Sequence, residues 1–389
     1  MDRQYADILH RCFRCGWCKL PTNYIDFNCP AYLKHPFESF SSGGRMWLIR
    51  AWLEGEIAPS DRFSQILFSC AACGNCVEAC AMEKIRDKLV DVFVAARRDL
   101  VEEGRVPPRV RDYFKAVSVS GNPYKRPQED AGLWARDLDV DEYDGQEYLL
   151  FAGSVAAFDD PGMRMARAAS VLFKQAGLSF GVLGGQEADD GNDLRILGEQ
   201  GLADLVAGKN IETFNRKGVK KIITLSPHSF HTMRKDYPVL GGIYEVYHYS
   251  QMLALLITKG ALKPGESRAI VTYHDPCYLG RWNKEYFSSR RILSSIRGIT
   301  VREMDRAMQN ALCCGGGGGN FFTDILGSGR GFSGDARVRE ALDTGAGIIA
   351  ASCPQCYRML EDAVKAQGAE DRIQVRDLSE IVSASIKGA

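Results

Sequence analysis

The chain has 389 residues, of which 49 are Lys or Arg and 49 are Asp or Glu, so its formal net charge is zero. That balance argues against a nucleic-acid partner, which normally calls for a basic excess or patch. Hydrophobic residues make up 45% and charged residues 25%, which excludes wholesale disorder, and no apolar run approaches the ~18 residues of a membrane-spanning helix.

At roughly 150 residues per domain, two or three domains are expected. The start, Met1-Asp2-Arg3-Gln4-Tyr5, lacks the charged and apolar regions of a signal peptide. The expected location is therefore cytoplasmic, with membrane association through a partner left open.

Thirteen cysteines are the unusual feature. An odd number without a secretory signal points to metal ligation or redox chemistry rather than a disulfide framework. They fall in two blocks, with none between Cys80 and Cys277. The first block reads Cys12-Phe13-Arg14-Cys15-Gly16-Trp17-Cys18, then Cys29-Pro30. It continues with Cys70-Ala71-Ala72-Cys73-Gly74-Asn75-Cys76, then Cys80. Each triplet can wrap one face of a cubane, with the fourth thiolate coming from a distance. The crossed arrangement assigns Cys12, Cys15, Cys18 and Cys80 to one [4Fe-4S] cluster and Cys70, Cys73, Cys76 and Cys29 to the other. An uncrossed arrangement is the alternative. Zinc is the other reading, but two successive triplets with eight ligands fit it poorly. Cys80 is followed by Ala81 where a proline is usual. Helical patterns at 44–53, 61–68 and 87–103 make residues 1–104 a mostly helical, two-cluster ferredoxin-like domain.

Residues 105–146 carry Pro107, Pro108, Pro123, Pro127 and an acidic run from Asp137 to Asp144. They read as a linker laid over the surface, helical at 110–116. From residue 147 onward, strand and helix patterns alternate, which predicts α/β layers with mostly parallel strands. Strands are expected at 148–152, 179–183, 219–225, 243–246, 269–273, 300–303, 347–351 and 373–375. Helices are expected at 163–176, 194–206, 250–258, 288–296, 336–342 and 354–366.

This region is an internal repeat, 147–262 and 263–389. The second copy carries Cys277, then Cys313-Cys314-Gly315, then Cys353-Pro354-Gln355-Cys356. The first carries Ser154, then Asp189-Asp190-Gly191, then Ser226-Pro227-His228-Ser229. The second copy keeps five thiols, and the first has Ser, Asp, Asp, Ser and Ser in their places. Five cysteines from three strand-to-helix turns can converge on one metal site. Two adjacent thiolates suit two irons or a bridging role, and the run Gly315 to Gly319 permits close packing against a bulky cluster. Cys353 and Cys356 open a helix, where dipole and free amides favour thiolate. A zinc site or a buried redox disulfide is the alternative.

The pattern C-x35-C-C-G-x37-C-P-x-C resembles the CCG domain of heterodisulfide reductases, and the whole chain resembles their D subunit. It is also similar to the K subunit of the sulfite-reduction complex, the D subunit of the class II benzoyl-CoA reductase complex, and the iron–sulfur subunits of glycolate and glycerol-3-phosphate dehydrogenases. The fold class implied is α+β multidomain: a helical ferredoxin-like domain followed by tandem α/β CCG repeats. The resemblance implies one noncubane [4Fe-4S] cluster on Cys277, Cys313, Cys314, Cys353 and Cys356, with Cys277, Cys313, Cys314 and His274 at the reacting centre. Ser154, Asp189, Asp190, Ser226 and Ser229 are not expected to hold a second, because soft thiolate is what suits it.

His274 stands three residues before Cys277 and can donate a proton or hydrogen bond to sulfur; the alternative is a satisfied histidine at a strand end. His228 lies in the vacated turn. Arg281 can bind an anionic substrate or form a neighbouring salt bridge. No G-x-G-x-x-G follows a strand, so dinucleotide binding is poorly supported. The function expected is an electron-transfer subunit of an anaerobic redox complex. It would pass electrons through two cubanes to the CCG cluster for disulfide–thiol chemistry, small-molecule or protein. A pure relay between a flavoprotein and a quinone-reactive membrane subunit or a low-potential reductase is the alternative. The iron–sulfur subunit of a 2-hydroxy-acid or glycerol-3-phosphate dehydrogenase is a third.

Overall fold

A computed structural model describes residues 5–387. Met1 to Gln4, read above for the lack of a leader, lie outside the described residues, as do Gly388 and Ala389 at the end of the second repeat.

The N-terminal part is helical. Helix Ser42–Leu53 is capped by Ser41, whose side chain accepts from the Gly44 N–H, and helix Asp61–Phe68 by Ser60, which accepts from Phe63. Such caps satisfy backbone donors that would otherwise be orphaned. Helix Leu89–Glu102 places Leu89, Val92, Phe93, Ala96 and Leu100 on one stripe, at helical spacing. These residues bury against Met46, Ile49 and Leu67. Each fully buried Leu, Ile, Met or Phe contributes about 1.5–3 kcal/mol.

Residues 105–146 differ from the surface linker expected. Helix Pro108–Ser120 buries Val110, Tyr113 and Val117 in the same core as the N-terminal helices. The 3-10 stretch Gln128–Ala135 sends Ala131, Trp134 and Ala135 into the core of the α/β part. Pro108 sits at a helix start, where its missing N–H costs nothing, so these prolines mark an element boundary. The acidic residues Asp137, Asp139, Asp141, Glu142 and Asp144 are solvent-exposed.

Two four-stranded parallel sheets follow. β1 (Tyr148–Phe151), β2 (Phe180–Gly181), β3 (Lys221–Thr224) and β4 (Glu245–His248) run in the order β2-β1-β3-β4. β5 (Glu266–Tyr273), β6 (Arg297–Val301), β7 (Ile348–Ala351) and β8 (Gln374–Asp377) repeat it as β6-β5-β7-β8. All eight overlap the strands the alternation of patterns predicted, β4 beginning two residues later and β6 three residues earlier than expected. Register pairs Leu149 with Ile222 in the first sheet and Val271 with Ile348 in the second. The helix expected at 194–206 is two, Asn192–Ile196 and Gln200–Arg216, divided at Gly198 with φ +92°. A side chain is disfavoured in that conformation.

One apolar core spans both sheets. It takes Leu150 and Ile223 from the first, Val271 and Ala350 from the second, and Met165, Phe173, Leu253 and Val382 from helices. Leu194 and Leu197 of the first repeat pack instead with the N-terminal helices. In each sheet the strand order reverses between two neighbours, β1 with β3 and β5 with β7. The carboxyl ends of such a pair form the natural crevice of a parallel sheet.

Candidate metal centres

Cys12, Cys15, Cys18 and Cys80 line one cavity of about 280 Å³. Backbone N–H groups of Arg14, Gly43 and Met82 donate toward the sulfurs of Cys12, Cys18 and Cys80. Burial pushes the Cys18 thiol up to about 12, a state that a bound cation reverses, because a ligating thiol is deprotonated. Four convergent soft donors, ringed by amides, fit an iron–sulfur cluster. Cys15 is solvent-exposed, as are its neighbours Phe13 and Trp17.

Cys29, Cys70, Cys73 and Cys76 line a second cavity, with Cys18 at its edge. Burial raises the Cys29 and Cys76 thiols, and the N–H groups of Tyr32 and Asn75 face Cys29 and Cys73. The donor set again suits a cluster. The structure thus brings Cys80 to the first triplet and Cys29 to the second.

The C-terminal five converge at the crevice between β5 and β7. Cys277 follows β5, Cys313 and Cys314 follow β6, and Cys353 stands between β7 and the start of helix Pro354–Ala366. All five are buried, from 0% exposed at Cys353 to 6% at Cys277. The Cys314 and Cys356 sulfurs are 3.4 Å apart, and the Gly315 N–H donates to Cys313 Sγ at 3.3 Å. Cys313 is in hydrogen-bond contact with Cys277, Cys314 and Cys73. The last contact is unforeseen from sequence, for it joins this site to the second N-terminal triplet. Hydrogen bonds from Cys313 and Cys356 hold the Cys314 thiol well below its usual range. For Cys353 burial opposes ionisation, but bonds from Cys356 and His228 prevail and bring it down to about 6. The same contacts and burial push the Cys313 and Cys356 thiols up, so the fit to a thiolate-held cluster rests on five buried soft donors in mutual contact.

The glycine run also meets the backbone of the N-terminal part. A Cβ on Gly317 would lie 2.5 Å from the Ala71 carbonyl oxygen, and one on Gly318 would lie 2.3 Å from that of Cys70. Gly317 and Gly318 thus pack against the backbone of the second triplet, while Gly316 stands beside Met359 and the Cys314 sulfur.

At the vacated site in the first repeat, Ser154 donates to Asp189 at 2.8 Å and Ser229 to Asp190 at 2.5 Å. The Gly191 and Asn192 N–H groups donate to the same two carboxylates. Burial pushes both aspartates up to about 6. Two residues from this half reach into the other. His228 stands against Cys353, and burial is outweighed by that thiol and by the charges of Asp193 and Asp190, which raise His228 to about 9. Asp193 accepts from Gln355 Nε2 at 3.0 Å. His228 and Gln355 hold matching positions in the two X-P-X-X turns, so each turn crosses to the other half.

Arg281 is buried, which opposes its charge, but it stands beside Cys73, Cys277 and Cys313, whose charges raise it, and it makes no carboxylate salt bridge among the described residues. Its guanidinium donates to the carbonyls of Cys73 at 2.7 Å and Ala311 at 2.6 Å. Trp282 Nε1 donates to the Ala72 carbonyl at 3.0 Å. His274 is wholly buried, and its Nδ1 faces the Nε of buried Arg337 at 3.1 Å. Sequence reasoning misses Arg337, because an arginine in an amphipathic helix normally signals the solvent face.

The cysteine-rich CCG domain family matches residues 271–361, and the 4Fe-4S dicluster domain family matches residues 8–83. The chain is 30% identical to the D subunit of the dihydromethanophenazine:CoB–CoM heterodisulfide reductase of Methanosarcina barkeri, over 97% of this chain and 94% of that protein. It is 32% identical to the EtfAB:quinone oxidoreductase of Syntrophomonas wolfei, over 98% of this chain and 59% of that protein. The chain spans about half the length of several other relatives. A crystal structure of a hypothetical protein from Helicobacter pylori superposes with a TM-score of 0.57 at 11% identity, covering 99% of this chain and 73% of that one, and shares the fold. No helix among the described residues is long and apolar enough to cross a membrane.

Proposed function

The chain belongs to the family of heterodisulfide reductase D subunits and is an iron–sulfur oxidoreductase subunit; we propose that it relays single electrons along three centres in one line. In this reading Cys12, Cys15, Cys18 and Cys80 hold one cubane, Cys29, Cys70, Cys73 and Cys76 hold the second, and Cys277, Cys313, Cys314, Cys353 and Cys356 hold a noncubane cluster. Bound there, the clusters supply one-electron redox chemistry at potentials set by their ligands and hydrogen bonds. The residues do the rest. Exposed Cys15, Phe13 and Trp17 offer a partner access to the outer centre. Cys73 against Cys313 keeps the path from the second centre to the third within one sulfur contact.

The observation that carries the relay is the sealing of the third site. Its five thiols are at most 6% exposed, and Arg281 and Trp282 clamp the N-terminal part over it. The partners in this reading are a flavoprotein on one side and a quinone-reactive membrane subunit on the other. The name of the Syntrophomonas relative accords with it.

Family membership supports a second reading, in which the third centre reduces a disulfide. Two electrons arriving in turn, with two protons, would break the S–S bond and leave two thiols. Anaerobic iron and sulfide analysis with low-temperature EPR separates the two. Three four-iron centres give about twelve iron per chain. The relay predicts that added thiols or disulfides leave every signal unchanged, and a thiol-dependent change in the third signal selects disulfide chemistry. Cys313→Ser should remove one centre and leave about eight iron. Retention of all twelve would contradict the ligand assignment.

A further inference from the structure

We infer that Arg337 locks the His274 ring in the tautomer that carries its hydrogen on Nε2, making His274 a fixed hydrogen-bond donor to the sulfurs of the third centre. The inference rests on the reading that Cys314 and Cys356 hold a cluster.

An arginine guanidinium offers only donors. Arg337 is 0% exposed and its Nε lies 3.1 Å from His274 Nδ1, so Nδ1 is the acceptor. A neutral imidazole that accepts at Nδ1 must carry its hydrogen on Nε2. Turning the ring over would set a C–H against the guanidinium and strip the Arg337 Nε–H of its acceptor inside the protein, which is costly. The guanidinium cannot swing away, because it also donates to the Arg306 carbonyl at 2.6 Å and to Glu340 at 2.9 Å. Arg306 in turn donates to Glu340 and to the Phe27 carbonyl.

On the other side, a His274 ring nitrogen and the sulfurs of Cys314 and Cys356 lie within 4.8 Å of one another. Nδ1 is taken by Arg337, Nε2 is buried and within ordinary hydrogen-bond distance of no partner among the described residues, and the His274 ring stands close enough to the Cys314 sulfur to favour its anion. The sulfurs are therefore what the Nε2 hydrogen meets. Two roles are removed together. A nitrogen that carries hydrogen has no lone pair, so His274 is not a metal ligand. A ring whose other nitrogen is held as an acceptor cannot give up its only hydrogen without becoming an anion, so His274 is not the proton source for a reacting thiol. What remains is a dipole aimed at sulfur, and such hydrogen bonds tune the potential of a cluster. Arg337 acts through it as a positioning residue.

The test is histidine-selective 15N NMR on the full, anaerobically prepared protein. The resonance lost in His274→Gln identifies the ring among the six histidines. The expected result is a bare Nδ1 and a protonated Nε2. A bare Nε2, or hydrogen on both nitrogens, overturns the inference. Redox titration of the third centre gives the second arm. A glutamine amide reaches the Nε2 position and an asparagine amide only the Nδ1 position. His274→Gln is thus expected to hold the wild-type potential and His274→Asn to move it negative, with the N-terminal centres unmoved in both. Equal potentials in the two variants count against the donor role. Iron content keeps the two claims apart: about eight iron in the unmodified protein would sink the cluster reading, while the NMR result still decides the tautomer.

Discussion

His228 shows how a residue from a site that lost its ligands can serve the site that kept them. It is 5% exposed and stands against the Cys353 thiol and the charges of Asp193 and Asp190. A donor on a thiolate ligand withdraws charge from it and favours the reduced cluster. Removing the donor should therefore lower the potential. A lost hydrogen bond of roughly 1 kcal/mol corresponds to about 40 mV for one electron. His228→Ala is expected to shift the third centre negative by that order and leave the other two where they are. Titrating all three centres in one sample checks it, and a uniform shift or none refutes the assignment. The sequence displayed the thirteen cysteines and the Ser-Pro-His-Ser echo of Cys-Pro-Gln-Cys. It did not display the crossing of the two turns, because a contact such as Gln355 with Asp193 spans 162 positions and depends on how the sheets face each other.

At the scale of elements, the turn after β2 carries a cost that pH exposes. Asp189 and Asp190 are pushed up to about 6 by burial, against an ordinary 3.8. Between those values the folded chain holds protons that the unfolded chain releases, so stability rises as pH falls from 6 toward 4. Above pH 6 both states are ionised and the burial cost is present in full. Asp190→Asn removes it while the amide still meets Ser229 and the Asn192 N–H. The variant is expected to melt higher than wild type at pH 8, by up to about 2 kcal/mol, with the gain fading near pH 4. Anaerobic thermal melts at the two pH values measure it, and a gain that does not depend on pH would place the effect elsewhere. Strands of this part were legible because β-branched and apolar runs such as Lys221–Thr224 sit between polar helices. In residues 105–146 the helix at 110–116 was legible and lies within Pro108–Ser120, but its burial through Val110, Tyr113 and Val117 was not, because the flanking prolines and acidic run read as a surface linker.

Across the whole molecule, the helical part and the α/β part are held by buried arginines that reach carbonyls rather than carboxylates. Arg97 donates to the carbonyls of Leu67, Cys70 and Ile196, and Arg281 to those of Cys73 and Ala311. Such bonds spare a second buried carboxylate, whose desolvation would be costly, although Arg281 Nη2 is left without a partner among the described residues. Between them lies the seam where Gly318 meets the Cys70 carbonyl. Gly318 has φ +65°, and a Cβ there would stand 2.3 Å from backbone. A side chain would add left-handed strain to a contact that only a backbone shift can relieve, about 2–4 kcal/mol together. Because the same seam presses Cys73 against Cys313, the damage should fall on transfer as well as stability. Gly318→Ala is expected to lower the melting temperature and slow reduction of the third centre, while the N-terminal centres reduce at the usual rate. Gly347 is the control, for its Cβ would meet nothing within 4 Å, and Gly347→Ala should match wild type in both measurements. Stopped-flow reduction of the three proteins, followed by rapid-freeze EPR, reads the order of events directly. If the third centre of Gly318→Ala fills as fast as that of Gly347→Ala, the electrons do not cross at this seam, and the line of three centres would have to be redrawn with a different point of entry.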